Sequence, residues 1–153
     1  MEDLKDYKEE TVVIFFGDHM SEAGPKTEKM LDYEKWKNLD EYTQDYEEHI
    51  VPVLVWNNKG NINKNLGIMS INQIFPFAAA ENQMAMSRMW SFLTELHDYY
   101  SASDKTIMVD EDGQAGPLAE MSNVQKQMRN QYYLLQYDYI WGERYAGDLW
   151  KLD

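Results

Sequence analysis

Six consecutive positions, Thr11-Val12-Val13-Ile14-Phe15-Phe16, are β-branched or aromatic, and the run closes at Gly17. It does not alternate, so it predicts a strand with both faces buried. That is the pattern of a central strand in a parallel or mixed sheet covered by helices. A second run, Ile50-Val51-Pro52-Val53-Leu54-Val55-Trp56, ends at Asn57-Asn58-Lys59-Gly60. Pro52 cannot donate to a ladder and belongs near the strand start or at an irregularity. Between the two, from Lys26 to Glu48, the residues Met30, Tyr33, Trp36, Leu39, Tyr42 and Tyr46 recur every three or four positions. This spacing predicts one helix or two short ones. A connection of that length suits a crossover between parallel strands.

Farther along, Ser70-Ile71-Asn72-Gln73 has the form of a capping box, with Ser70 as N-cap and Gln73 three residues on. A short apolar helix follows, interrupted by Pro76. Met86, Met89, Trp90, Leu93, Leu96 and Tyr100 make the stripe of a longer helix from about Met84 to Tyr100. Thr106-Ile107-Met108-Val109 predicts a short strand, closed by Asp110-Glu111-Asp112-Gly113, and Gly116-Pro117 punctuates again. The last helix runs from about Ala119 to Ile140, with Val124, Met128, Tyr132, Leu135 and Tyr139 on one face. Residues 1–10 are a charged lead-in, in keeping with a frayed helix end. The fold class is therefore α/β, a mixed or parallel sheet flanked by helices.

Composition narrows the function. The chain has 153 residues, enough for one domain, and 44% of them are hydrophobic, enough for a core. Its 27 acidic and 14 basic residues leave a net charge of −13, which repels nucleic acid. There is no cysteine, which excludes thiol catalysis, disulfides and thiolate metal sites. No stretch reaches the ~20 apolar residues of a membrane span, and the charged start is not a signal peptide. The chain itself reads as soluble. Tyrosine is abundant, at 11 residues, and its half-polar ring suits rims and interfaces.

The candidate chemistry is Gly17-Asp18-His19, directly after the first strand. In open α/β sheets ligands sit beyond the carboxyl ends of the strands. An Asp oxygen and a neutral His nitrogen together suit a divalent ion. Gly17 lets the backbone turn so that both side chains converge. The alternative from spacing alone is that Asp18 caps a turn and His19 is a loop residue. His49, beside Glu47 and Glu48, reads as a solvated loop histidine, with an anion or metal contact as the alternative, and His97 as a helix-surface group. Asp110, Glu111 and Asp112 lack the ligand spacing of a calcium loop and read as a solvated turn. Met84, Met86 and Met89 read as core filler. No glycine loop cradles a phosphate, and no serine sits in a nucleophile elbow.

With these residues in place, the chain resembles a known family. The strand ending in Gly17-Asp18-His19 is similar to the metal-binding strand of the sulfatase-like and phosphoglycerol-transferase branch of the alkaline phosphatase superfamily, which includes the lipoteichoic acid synthases. The segments His49 to Asn57, Ser70 to Pro76 and Phe92 to Leu96 resemble later segments of that branch in the same order. Tyr133-Leu134-Leu135-Gln136-Tyr137-Asp138-Tyr139-Ile140-Trp141-Gly142-Glu143-Arg144-Tyr145 resembles its closing signature. The resemblance covers residues 11–145 and corresponds to the carboxy-terminal portion of such an enzyme, leaving 1–10 as lead-in and 146–153 as tail.

The resemblance implies Asp18 and His19 as metal ligands. The ion would be manganese, magnesium, zinc or calcium, acting on an anionic sulfate or phosphate ester. It implies that the early acidic ligand and the nucleophile lie in a missing amino-terminal part of the same domain. The isolated chain would then be inactive, prone to self-association, and cut from a membrane-anchored parent with an extracellular catalytic domain. Where the branch often has a proline two residues after the Asp-His pair, Met20-Ser21-Glu22 follows here, and His49 stands where an aromatic is common, so no substrate-contact residue carries over. From a different class, the chain reads as a non-catalytic, Tyr-rich protein- or glycan-binding domain. A cation-binding domain built on Asp110 to Asp112 is a third reading.

Overall fold

The two apolar runs form strands, and they pair with each other. In the computed structural model, which describes residues 2–18, 33–60 and 65–152, β1 (Val12–Phe16) lies antiparallel to β2 (Val53–Asn57). The register runs from Val12 opposite Asn57 to Phe16 opposite Val53. The crossover between parallel strands, expected from the length of the connection, is not what joins them. The connection carries α2 (Tyr33–Trp36) and α3 (Glu41–His49), two short helices as the periodicity allowed; positions 26–32 lie outside the described residues. Asp40 starts α3 by accepting the N–H groups of Tyr42 and Thr43, two donors that the first turn leaves without helical partners. Pro52 stands just before β2, and its carbonyl accepts the Gly17 N–H at 3.2 Å.

The lead-in is tied down by one side chain. After the single turn α1 (Glu2–Lys5), Asn58 donates to the carbonyls of Tyr7 and Glu9 and accepts the Thr11 N–H at 3.0 Å.

The core lies elsewhere. A 3-10 turn at Ile71–Gln73 leads into α4 (Ile74–Glu81). Pro76 falls in the first turn of α4 and does not interrupt it, because the N–H it lacks has no helical acceptor there. Gln73, fully buried, accepts the Ser70 N–H at 2.8 Å and donates to the Leu93 carbonyl at 3.3 Å. The expected capping pair thus also clamps this turn to the next helix. That helix, α5 (Arg88–Leu96), is shorter than its stripe. Ser87 accepts the Trp90 N–H at 3.1 Å and fixes the start four residues after Met84.

Met89, Leu93 and Leu96 of α5 are buried with Tyr100 and Met121, and Met128, Tyr132 and Leu135 pack against them from α6 (Asn123–Ile140). Leu149 and Trp150, from a 3-10 turn at Gly147–Trp150, close the other side. β3 (Ala102–Ser103), β4 (Ile107–Val109) and β5 (Ala115–Pro117) form an antiparallel sheet with β4 in the middle, and α3 packs across β4 and β5. The architecture is mixed α/β, with small antiparallel sheets flanked by helices.

Candidate functional site

Gly17 carries β1 out to Asp18 by close approach. A Cβ added at position 17 would stand 3.0 Å from the Val51 Cβ, so a larger residue would have to push Val51 aside. The bend that follows leaves Asp18 exposed. His19 lies outside the described residues, and with it the geometry of the Asp-His pair.

Asp18 borders a cleft of about 860 Å³. One wall is the end of the β1–β2 ribbon, at Phe16, Val53 and Val55. Another is Tyr46 and His49 of α3, and a third is Tyr132, Tyr133 and Gln136 of α6; Ser70, Asn72, Ser103 and Asp104 supply further polar groups. α6 reaches this place through Tyr132, a residue of its apolar stripe, and through Tyr133 and Gln136. Asp104 was unmarked in the sequence, although the Asp-Lys-Thr triplet is compatible with a turn in which an Asp side chain accepts backbone N–H groups.

Asp104 makes that turn. It accepts the N–H groups of Thr106 at 2.7 Å and Ile107 at 2.8 Å, and the Thr106 hydroxyl at 3.1 Å. Burial alone would raise its pKa, but the hydrogen bonds from Ile107 and Thr106 outweigh burial and hold the carboxyl below its usual range. Burial pushes the phenols of Tyr100 and Tyr132 upward, Tyr100 against a lowering hydrogen bond with Ser103 and Tyr132 against one with Asn72. The cleft thus presents neutral hydroxyls beside two carboxylates. No Lys or Arg is among its described lining residues. Arg129 stands behind it, donating to the Asp104 carbonyl at 2.8 Å and lying over the Tyr133 ring.

The histidines part company. His49 ends α3 with an exposed side chain, and its Nδ1 lies 2.7 Å from the Asp45 carbonyl. A carbonyl only accepts, so Nδ1 carries the hydrogen. His49 reaches the same cleft as Asp18, which its place in the sequence did not show. His97 is structural: its Nε2 donates to the Ile68 carbonyl at 2.7 Å, and its ring meets Phe77 edge-on. Asp110 accepts the N–H groups of Asp112 and Gln114, so it holds the β4–β5 turn. Among the described residues no group of three His, Asp or Glu side chains is placed to hold a metal ion. Asp18 supplies one oxygen ligand, and the second expected ligand, His19, lies outside the described residues.

The closing Tyr-Asp-Gly-Tyr segment builds a stop for α6. Asp138 accepts the N–H groups of Tyr145 at 3.2 Å and Ala146 at 2.9 Å through its two carboxylate oxygens. A Cβ at Gly142 would stand 2.8 Å from the Asp138 Cα. The segment folds back on the helix end, and the Trp150 ring packs on Tyr139 at a tilt of 33° with ring centroids 4.4 Å apart.

Over 97% of its length the chain is 27% identical to a protein of Rhizobium meliloti (strain 1021) named "Putative cyclic beta-1,2-glucan modification protein". The chain spans about a quarter of that relative's length, the matched stretch being 24% of it. No family model matches the chain, and no solved structure does. No helix among the described residues is long and apolar enough to cross a membrane.

Proposed function

We propose that this chain is the carboxy-terminal part of a metal-dependent transferase that moves an anionic ester group, such as a phosphoglycerol, onto a glucan hydroxyl. The observation that carries the proposal is the position of Asp18, at the carboxyl end of β1 and on the rim of the cleft. This is the residue that the sulfatase-like and phosphoglycerol-transferase resemblance marks as a ligand. The relative's name, which speaks of glucan modification, favours transfer over hydrolysis of a sulfate or phosphate ester.

Asp18 and Asp104 both border the cleft, so an anionic ester entering it meets two carboxylates. A divalent ion at Asp18 and His19 would reverse the local sign and neutralise charge on the transferred group. The remaining ligands and the attacking hydroxyl would come from outside this chain. Asp18 would contribute a hard oxygen, and the neutral hydroxyl of Tyr132 would orient an acceptor sugar. On this reading the sheet is the carboxy-terminal portion of a sulfatase-like sheet, and the parent is anchored at a membrane with its catalytic part outside the cell.

The test is nuclear magnetic resonance of the chain with added manganese. Broadening centred on Asp18 and His19, lost in Asp18→Ala and in His19→Ala, is the expected result. Broadening spread over the acidic surface, equal in wild type and both variants, overturns the proposal.

A second reading has its own observation. Tyr133, Leu134, Tyr137, Ile140 and Trp141 line an open groove along the outer face of α6, and Trp141 is 78% exposed. An aromatic face of this kind suits a non-catalytic domain that binds a glycan or a protein. Titration with a β-1,2-glucan, followed by tryptophan fluorescence in wild type and Trp141→Ala, distinguishes it.

A further inference from the structure

Among the described residues the β1–β2 ribbon has an edge with no partner strand, and its hydrogen-bond register identifies which edge. In an antiparallel pair, residues alternate between those bonded to the partner strand and those whose N–H and C=O point away from it. Gly17 donates to the Pro52 carbonyl and Asn58 to the Thr11 carbonyl. Both pairs continue the register of the ribbon, so positions 11, 13, 15 and 17 are the bonded ones. Val12, Ile14 and Phe16 therefore turn their main-chain groups to the opposite edge. Among the described residues no strand pairs with β1 there.

Nothing in the sequence protects that edge. The stretch from Thr11 to Gly17 holds no charge and no proline, the usual devices against further pairing. One face is bare too: Phe15 is 67% exposed and Leu54, opposite it, 50%. A two-stranded sheet is marginal by itself in water, and β1 and β2 pack chiefly on each other.

We infer that the free edge of β1 receives a strand from the part of the longer protein that this chain does not contain, making β1 an interior strand. This rests on the proposal that the chain is one part of a longer enzyme, and the relative, about four times as long, is consistent with that. Side chains on both faces of β1 are apolar, so the incoming strand is uncharged and apolar on both faces. A second copy of the chain is a poorer occupant, because each copy carries a net charge of −13. Pairing at Val12, Ile14 and Phe16 would also fix the exit of β1, and with it the position of Asp18.

The experiment combines this chain with the Rhizobium meliloti relative from which the matched stretch has been deleted, and follows sedimentation and amide hydrogen exchange. A one-to-one complex is expected, in which the amides of Val12, Ile14 and Phe16 exchange at least about tenfold more slowly than in the chain alone. Ile14→Pro removes only an outward N–H, so it should leave Val13 and Phe15 protected while abolishing the complex. Phe15→Pro, which removes a bond to β2, should lose both. The inference is overturned by a complex that leaves those three amides fast, by no complex at all, or by a dimer of the chain that protects them. A complex with protected amides but no manganese effect at Asp18 would sink the transferase proposal and leave this inference standing.

Discussion

The helix α5 carries one apolar stripe and the strand β1 is apolar throughout, yet it is the helix that is enclosed. Met89, Leu93 and Leu96 of α5 are enclosed by Tyr100, Met121, the inner face of α6 and the turn carrying Leu149 and Trp150. No residue of β1 is buried, and Phe15 faces solvent. A helix completes its backbone hydrogen bonds internally and needs neighbours only for its stripe. A strand completes its backbone hydrogen bonds only with neighbouring strands. The described residues enclose the α5 stripe on every side and give β1 one partner strand.

Substitutions that exploit this contrast should differ most in the core. Leu93→Ala should cost about 2–5 kcal/mol of stability, because the site is closed on every side and leaves a cavity; urea unfolding measures it. Gly142→Ala should cost about 1–3 kcal/mol through overpacking against the Asp138 backbone. It should also release Tyr145 and Ala146, visible as faster exchange of their amides. Asn58→Ala removes two hydrogen bonds to the lead-in and one to Thr11, and should cost about 1–2 kcal/mol. Its effect should be confined to the ribbon, with α5 amides unchanged.

Acid should act on the packed half as well. The Asp104 pKa is lowered in the folded chain, so its contribution is present above the unfolded value of about 3.9 and disappears as pH falls through the lower folded value. Unfolding midpoints measured between neutral pH and the acid range should fall less steeply in Asp104→Asn than in wild type. The smallest effect is expected at Phe15→Ser, within about 0.5 kcal/mol in the isolated chain. A large loss there would mean that the ribbon face is covered, and the comparison between the two regions would collapse.

Much of this was written locally. The β-branched run of β1, the stripe of α5, the Ser70–Gln73 pair and the turn at Asp110 all reflect short-range rules: side-chain period, capping and turn chemistry. So does the prominence of Asp18, which follows a strand end. The start of α5 was misplaced because periodicity continues through Met86, while the helix begins where Ser87 can cap it. β3 and β5 went unread because strands of two and three residues carry no pattern.

What the sequence determined by itself is the longer elements, β1, β2, α5 and α6, and the apolar stripes of the helices, since these depend on neighbours three or four residues apart or fewer. The tertiary structure decided which elements meet. It made β1 and β2 antiparallel, brought His49, Asp104 and Tyr132 to the cleft that Asp18 borders, and turned the Asp138–Gly142 signature into a helix stop. These outcomes depend on contacts between distant positions, such as Asn58 with Tyr7 or Gln73 with Leu93. Their free energy is settled only when the chain closes on itself, and no local pattern encodes it.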